Sequence, residues 1–312
     1  MITKNSETRE ARISRVKNPG ADAQIGVERK VLDHGVVMLV DYMGGDESIV
    51  RAARVSYGAG TKTLQEDKAL IKYLLRHSHT TPFEMVEMAF YLKMPIFVMR
   101  QIVRHRTANM NEMSLRYSIE LDVHYVPELD AIQGQSTSNR QGREEKGWTK
   151  EAKENIQKEM QEHAEASYAL YQKLIQQGVA REIARFVLPV TFYTECYWKM
   201  DLWNLFHFLA LRMDAHAQFE TREFANAMAD VVKGVAPGAF EAFEEYIQEG
   251  VKLSKKDQVA VTALLRGATL EDACSTAGLK LTKPDGTPLK MGEGPEFLQK
   301  LEIIKEKAVK RG

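Results

Sequence analysis

Cysteine is scarce in this chain. Its 312 residues include only Cys196 and Cys274, and neither belongs to a C-x-x-C pair. Two such residues cannot form a disulfide framework of the kind found in small secreted domains. An excess of positive charge is also absent, because 43 basic residues are balanced by 43 acidic ones. This balance argues against a general nucleic-acid or membrane-surface binder, which would carry a basic excess.

Long apolar segments are missing as well. The longest apolar runs are much shorter than the stretch of about 20 residues that spans a bilayer. The polar start of the chain contains no apolar segment of the signal-peptide type. We therefore expect a cytoplasmic protein that binds neither membranes nor nucleic acid. With 44% hydrophobic residues, the chain can bury a substantial core, and its length permits one large domain or two.

The spacing of apolar residues predicts a mixture of strands and helices. Short runs that are rich in valine or leucine, or that alternate, predict strands at 31–41, 86–93 and about 117–125. Helical spacing, with capping residues, predicts helices at 46–55, 65–77, 95–106, 149–177 and 180–187. The polar stretch at 127–147 is predicted to be a long loop.

The longest predicted helix runs from 199 to 233. Asp201 and Arg212 are eleven residues apart, about three helical turns, so a continuous helix would place them on one face. His216 would lie one turn beyond Arg212, on nearly the same face. Such a polar face could line a binding site. The alternative is a solvated face that carries an ordinary pair of charges.

The composition changes after residue 250. Residues 251–312 are rich in lysine, with short helices predicted at about 255–266 and 269–276, a turn at 283–288 and a final helix from Gly294. The two short helices resemble a helix-turn-helix only faintly, so we do not expect DNA binding. We predict a catalytic domain at 1–250 and an appendage at 251–312 to which the sequence assigns no role.

The most informative stretch is RHRTANMNEMSLRYS, at 104–118. It contains three arginines and no lysine, interleaved with amides, hydroxyls and one carboxylate. Arginine offers a rigid fork of donors that matches phosphate oxygens or a pyrimidine edge, and amides and hydroxyls can both donate and accept. The composition suits a pocket for a phosphorylated, hydrogen-bonding ligand. A surface loop of ion pairs and a nucleic-acid contact are the alternatives.

This stretch resembles the signature of the flavin-dependent thymidylate synthases, Arg-His-Arg followed after seven residues by serine. The signature is formed here by Arg104, His105, Arg106 and Ser114. The longer form of the signature also matches at Asn111, Glu112, Arg116 and Tyr117. Further blocks of the family match in order at 52–56, 79–84, 95–101, 181–185 with Pro189, and 211–218.

The resemblance implies an α+β fold, with helices packed on an antiparallel sheet, and a homotetramer whose active sites lie where subunits meet. It implies that dUMP is converted to dTMP, with methylenetetrahydrofolate as carbon donor and NADPH as reductant through FAD. No metal site is implied. The flavin contacts carried over by matching position are Ser56, Thr81, Glu84, Arg104, His105, Arg106, Glu112, Asp201, Trp203 and His207. The nucleotide contacts are Gln101, Arg104, Glu112, Met113, Ser114, Leu115, Arg116, Arg185 and Arg212.

The implied reaction requires C5 of the uracil ring to become nucleophilic. One route is attack of a cysteine on C6, but neither Cys196 nor Cys274 is embedded in a polar motif. The other route is a fixed cation that favours negative charge on the ring. The resemblance implies that Arg212 is this cation. Arginine cannot act as a base near neutral pH, so Arg212 would polarise the ring. Ser114 has no adjacent base to activate it, and we expect it to bind the nucleotide.

Three arginines receive more specific expectations from the resemblance. Arg104 is expected between flavin and nucleotide, whereas Arg116 and Arg185 are the candidates for the phosphate. Two rival functions remain open at this point. One is another enzyme of nucleotide metabolism that uses the pocket without flavin, and the other is a protein that binds RNA or DNA through its arginines.

Three positions depart from the usual family pattern. They are Met85, Asn109 and Trp203. Trp203 replaces a typical histidine or arginine and therefore bears on the flavin contacts, although an indole can still stack on a ring.

Overall fold

An antiparallel sheet forms the centre of the larger part of the molecule. The computed structural model describes residues 16–55, 64–114, 122–137 and 142–309. The strands are β1 Arg29–Val31, β2 Gly35–Met43, β3 Glu87–Pro95, β4 Asn109–Glu112, β5 Gly134–Gln135, β6 Arg143–Glu144 and β7 Tyr193–Asp201. Five of them form one sheet in the order β1-β2-β3-β7-β4, while β5 and β6 pair separately.

Helices surround this sheet and also follow it along the chain. They are α1 Pro19–Asp22, α2 Asp46–Arg54, α3 Leu64–Arg76, α4 Ile96–Ile102, α5 Lys150–Gln176, α6 Arg181–Ala184, α7 Leu202–Arg212, α8 Phe219–Val235, α9 Pro237–Phe243, α10 Lys255–Leu265, α11 Leu270–Ala277 and α12 Glu293–Val309. Short 3₁₀ or π turns lie at Phe83–Met85, Leu129–Ala131, Arg185–Val187 and Glu244–Gln248. Within the described ranges, none of the helices has the length and apolar character needed to cross a bilayer.

One face of the main sheet is covered by the hydrophobic core. Along β3, fully buried residues such as Phe90 and Leu92 alternate with partly exposed ones, as expected for a strand with one covered face. The Trp198 ring on β7 packs at 5.1 Å from Phe208 on α7. Helix α8 adds fully buried residues that include Phe224 and Met228. The predicted α+β fold, with helices on an antiparallel sheet, is confirmed.

The chain divides into two compact units, Met1–Tyr246 and Ile247–Gly312. The main sheet and every described residue predicted to bind flavin or nucleotide belong to the first unit. The roles assigned to the two parts stay predictions.

The second unit is built from α10, α11 and α12. Ser254 and Asp257 form a capping box at the start of α10, an arrangement that satisfies two otherwise unpaired backbone amides. Its core contains the fully buried Phe297, packed with Cys274 and Leu279. The three helices predicted for this part are confirmed.

The prediction of one continuous helix at 199–233 is wrong. Residues up to Asp201 belong to β7, α7 ends at Arg212, and α8 is a separate helix. In the turn between the helices, the amide of His216 donates to Asp214 Oδ1 at 2.8 Å. Side-chain acceptors of this kind compete with helical hydrogen bonding. His216 therefore lies in an exposed turn and not on a helix face beside Arg212.

Three further predictions need correction. The predicted strand at 31–41 contains a turn at 32–34, which separates β1 from β2. The segment just after Arg106, predicted as loop, contains β4, and the predicted loop at 127–147 contains β5 and β6. These strands have only two to four residues and are too short for an alternating pattern to reveal them. The strand predicted from 117 lies partly outside the described residues, and within them His124 forms an isolated bridge with Phe192.

Candidate active site

Helix α7 carries several of the predicted site residues. Asp201 caps its start, because the Asp201 carboxylate accepts from the Asn204 amide at 2.9 Å and from Asn204 Nδ2 at 2.6 Å. The apolar residues Leu202, Leu205, Phe206 and Leu209 of the helix form a buried stripe. Trp203 is half-buried and His207 is exposed. The buried stripe thus holds α7 in place while other side chains stay accessible to a ligand.

The Phe83–Met85 turn packs beside the first turn of α7. The Phe83 ring lies 6.1 Å from the Trp203 ring, and the Leu202 amide donates to the Val86 carbonyl at 2.8 Å. Thr81, just before the turn, is exposed, and Glu84 within it is half-buried. The start of α7 therefore lies beside a turn that contains Glu84 and closely follows Thr81, two of the predicted flavin contacts.

Arg212, at the end of α7, is held in a fixed position by groups from the end of α4. Its Nε donates to His105 Nε2 at 3.1 Å, and its Nη2 donates to the Gln101 carbonyl at 3.3 Å. The side chain is partly buried, and burial lowers the pKa of Arg212. Arginine nevertheless remains charged at any ordinary pH, so these bonds aim a permanent cation.

His105 is neutral in this arrangement. Burial, together with the charge of Arg212 and with His207, lowers the pKa of His105 to about 4. Because Arg212 Nε can only donate, His105 Nε2 must be the unprotonated acceptor, and the ring proton lies on Nδ1. The His105 ring also packs at 4.9 Å from Phe208 and 6.0 Å from His207. His105 thus orients Arg212 without adding a second positive charge.

The Gln101 side chain belongs to a polar network that reaches α8. Thr221 Oγ1 donates to Gln101 Oε1 at 3.1 Å, and Gln101 Nε2 donates to Gln218 Oε1. Gln218 Nε2 in turn donates to Glu220 Oε2 at 2.9 Å. Glu220 is only 3% exposed and accepts two bonds from Arg143 Nη2, at 2.7 and 2.9 Å. The network therefore links Gln101 to an ion pair whose carboxylate is buried.

Three arginines of the predicted site keep their donors available. Arg104 and Arg106 are exposed and Arg185 is half-buried. Within the described ranges, none of the three has a side-chain hydrogen bond or ion-pair partner. Free guanidinium donors are suited to anionic oxygens such as those of phosphate.

Strand β4 places Glu112 opposite Cys196 on β7. Glu112 Oε1 accepts from Thr194 Oγ1 at 2.8 Å. Cys196 is buried, and burial together with Glu112 raises the pKa of its thiol to about 12. A thiol with this pKa is almost entirely protonated near neutral pH and is a poor nucleophile.

The remaining predicted contacts follow β4. The Met113 amide donates to the Glu195 carbonyl at 2.9 Å, which extends the pairing with β7, and Ser114 is half-buried. Ser56, Leu115 and Arg116 lie outside the described residues.

Several residues of this arrangement were not among the predicted site residues. Gln218 ends the matched block at 211–218, and Glu220 and Thr221 follow it after Phe219. Arg143 belongs to the stretch predicted as loop, and no spacing rule relates it to Glu220. The signal in the sequence was the position of Glu220 and Thr221 two and three residues after a block that matches the family.

Comparison with known proteins identifies the family. The family model described as thymidylate synthase complementing protein matches residues 38–238. A flavin-dependent thymidylate synthase of Thermus thermophilus is 52% identical over 249 residues, which cover 80% of this chain and 90% of that protein. The chain belongs to the flavin-dependent thymidylate synthases. A family member from Wolbachia pipientis is 49% identical over 257 residues, covering 82% of this chain and 90% of that protein.

A solved structure supports the same family. A UMP/dUMP methylase, PolB from Streptomyces cacaoi bound with 5-Br dUMP, matches with a TM-score of 0.64 and 30% sequence identity. The match covers 70% of this chain and 99% of the PolB chain. The recognition of the family from its signature is thus confirmed.

Proposed function

We propose that this protein catalyses the reductive methylation of dUMP to dTMP. Methylenetetrahydrofolate would supply the carbon, and NADPH would supply two electrons that reduce the methylene group to a methyl group, so that the folate leaves as tetrahydrofolate. Two findings support the proposal: relatives about half identical to this chain are named flavin-dependent thymidylate synthases, and the solved relative is a UMP/dUMP methylase.

The observation that carries the mechanism is the fixed position of Arg212. Its guanidinium is held by His105 Nε2 and by the Gln101 carbonyl, and its Nη1 atom takes part in neither bond. A pre-positioned cation stabilises negative charge that develops on a bound ring. Arg212 would polarise the uracil in this way, so that C5 becomes nucleophilic without a covalent bond from the enzyme.

The described thiols fit a mechanism without an enzymatic cysteine nucleophile. Cys196 is buried, with its pKa raised to about 12, and Cys274 is buried in the second unit. Burial also raises the pKa of Cys274. Neither thiol offers the exposed thiolate that attack on C6 would need.

The accessible residues of the first unit fit a flavin. Trp203 is half-buried and can pack against a ring, while Arg104 and Arg106 have free donors for phosphate groups. We propose that these three residues hold FAD together with Ser56, Thr81, Glu84, His105, Glu112, Asp201 and His207. When bound, FAD would carry reducing equivalents from NADPH to the methylene group. Arg104 would lie between flavin and nucleotide.

The nucleotide would be bound by residues from several elements. Arg116 and the half-buried Arg185 are the proposed phosphate ligands, since arginine forms paired hydrogen bonds with phosphate. The remaining proposed contacts are Gln101, Arg104, Glu112, Met113, Ser114, Leu115 and Arg212. Ser114 would bind and not attack.

We further propose a homotetramer with active sites shared between subunits. Large apolar side chains lie exposed in the first unit, including Phe186 at 75% and Tyr197 at 55%, and exposed aromatic residues are typical of surfaces that subunits cover. Phe186 directly follows Arg185, so a subunit contact there would lie next to a proposed phosphate ligand. A cytoplasmic location is part of the proposal, and two unpaired cysteines suit it.

The decisive experiment is anaerobic spectrophotometry of the purified protein. NADPH should bleach a flavin absorption band when FAD and dUMP are present. Later addition of methylenetetrahydrofolate should restore the band and form dTMP. UMP should be assayed in parallel, because PolB is described as acting on both nucleotides. A protein that stays colourless with added FAD, or that oxidises NADPH without forming dTMP, would contradict the proposal.

A further inference from the structure

The polar network behind Gln101 has a fixed direction of hydrogen bonding. An ionised carboxylate can only accept hydrogen bonds, so Glu220 requires Gln218 to present its NH₂ group. The Gln218 oxygen then faces Gln101, and Gln101 must donate from Nε2. Gln101 Oε1 is left to accept from the Thr221 hydroxyl. One buried carboxylate thus determines which way two amide groups point.

Glu220 is well suited to serve as the fixed end of this network. Both oxygens of Glu220 lie within hydrogen-bond distance of Arg143 Nη2, and Tyr125 OH also donates to it at 3.1 Å. Although burial opposes ionisation, the hydrogen bond and charge of Arg143 hold the pKa of Glu220 below its usual range. Glu220 therefore remains an acceptor at any pH at which the enzyme would work.

Arg143 also contacts two groups other than Glu220. Its Nη1 donates to the Ala131 carbonyl at 2.7 Å, and its guanidinium lies 5.7 Å from the centre of the Phe219 ring. Arg143 belongs to β6, within the stretch predicted as loop, so this segment contributes directly to the network. Removal of Arg143 would leave the buried Glu220 charge uncompensated, which is unfavourable.

We propose that Glu220, clamped by Arg143, is a positioning residue that fixes the amide of Gln101 for the nucleotide. This inference rests on the proposed function, in which Gln101 contacts dUMP. The second N–H of Gln101 Nε2 is not used by Gln218, and the fixed orientation directs it to an oxygen of the nucleotide. The backbone carbonyl of Gln101 accepts from Arg212, so the same residue also contacts the polarising cation, through its main chain.

The test measures dUMP binding to the FAD-loaded full-length protein by titration calorimetry. Glu220→Gln should weaken dUMP binding about tenfold, because the new amide can donate or accept and no longer imposes one orientation. Gln218→Met should have a similar effect, since it breaks the link at an exposed position and leaves both members of the Glu220–Arg143 ion pair in place. Glu223→Gln, on the same helix, is the matched control and should bind dUMP like the wild type.

Two further measurements separate positioning from folding. Glu220→Gln should also lower the melting temperature, whereas Gln218→Met should leave it and the flavin spectrum unchanged while still weakening dUMP binding. Arg143→Lys, which retains the charge, should bind dUMP more tightly than Arg143→Met. Wild-type dUMP affinity in the Gln218→Met variant would overturn the inference, and so would equal affinities in the two Arg143 variants.

Gln101→Ala distinguishes this inference from the proposed function on which it rests. If Gln101→Ala weakens dUMP binding but Glu220→Gln and Gln218→Met do not, the positioning role is wrong and the assigned contact of Gln101 stands. If Gln101→Ala binds dUMP normally, the assigned contact of Gln101 is wrong, and the inference is wrong with it.

Discussion

At the scale of single residues, Arg212 is a charged side chain whose position is fixed by hydrogen bonds. Two acceptors hold its guanidinium, His105 Nε2 and the Gln101 carbonyl. A flexible surface arginine would have to be ordered again at each turnover, which takes conformational entropy. Arg212 is already ordered before the substrate arrives.

Replacement of Arg212 by alanine should abolish most of the methylation. We expect the rate of dTMP formation to fall by about 10²–10³-fold, the usual effect of removing one pre-positioned stabilising group. The FAD spectrum should be largely unchanged, because Arg212 serves the nucleotide. Single-turnover assays should compare the rate of dTMP formation in Arg212→Ala with that in Arg222→Ala, the control variant, which removes an arginine of α8. Near-normal turnover of Arg212→Ala would disprove the assigned role.

His105 makes the stability of the protein depend on pH in a predictable direction. Its pKa falls from the ordinary 6.5 to about 4 in the folded protein. Between these values the unfolded chain binds a proton that the folded protein does not bind. The free energy of unfolding should therefore fall as the pH falls from about 6.5 towards 4, and this contribution is fully present above about 6.5.

Urea unfolding between pH 7 and pH 4 can isolate this contribution. The wild type should lose more stability over this range than His105→Asn, which has no titrating ring. Identical slopes for the wild type and His105→Asn would show that the His105 pKa is not lowered.

Much of the candidate site follows from local sequence, and the rest depends on long-range contacts. Arg104, His105 and Arg212 lie in recognisable blocks, so their chemistry can be predicted from the chain alone. The support behind them cannot, because Arg143 and Glu220 are 77 residues apart and meet only in the folded protein. A polar side chain in a loop looks the same in sequence whether it faces solvent or a buried carboxylate.

At the scale of elements, periodicity predicted most helices but missed where one of them breaks. The spacing of apolar residues at 199–233 fits one continuous helix, although the structure there consists of the end of a strand, a helix, a turn and a second helix. The break is set by side chains, with Asp201 as cap and Asp214 as acceptor in the turn. Asp201 begins α7, the Asp214 bond lies in the turn after Arg212, and α8 then begins with Glu220 in its first turn.

A second contact between elements concerns Asp46. Asp46 is the first residue of α2, but Gly45 is the capping residue of that helix and makes no side-chain bond there. Asp46 instead accepts from the amides of Gly238 at 2.6 Å and Ala239 at 2.9 Å. It therefore caps α9, which is distant in sequence, and burial raises the pKa of the Asp46 carboxyl.

Removal of this cap should destabilise the protein measurably. Asp46→Ala leaves the Gly238 and Ala239 amides without their acceptor, and we expect a loss of about 1–2 kcal/mol in the free energy of unfolding. Glu47→Ala alters the neighbouring exposed acid and should cost less than about 0.5 kcal/mol. Urea denaturation of both variants gives the comparison, and equal stabilities would refute the capping role.

At the scale of the whole molecule, the two units should respond separately to damage. Phe297 is fully buried in the core of the second unit, and Phe→Ala substitutions in such cores cost about 3–5 kcal/mol. A unit of this size has a total stability of roughly 3–10 kcal/mol. Phe297→Ala should therefore unfold the second unit at a lower temperature and leave the first unit folded.

Calorimetry of the full chain can reveal this as a second, earlier transition. The dTMP-forming activity should persist after that transition, because the described site residues all belong to the first unit. Ile303→Ala, at a half-exposed position of the same helix, should shift the transition much less. A single transition that moves as a whole in Phe297→Ala would show that the units unfold together.

The short edge strands of the main sheet affect how the protein should behave in concentrated solution. The edge strands β1 and β4 have three and four residues, whereas the strands they flank have nine. Residues outside these strands pair with further backbone groups of β2 and β7. The Gly26 amide donates to the Leu39 carbonyl on β2, and the Met113 amide donates to the Glu195 carbonyl on β7. Long bare edges allow strands of other molecules to add on and grow into fibrils. Within the described residues, the open edges of this sheet are the short strands β1 and β4, so the folded protein should resist fibrillar aggregation.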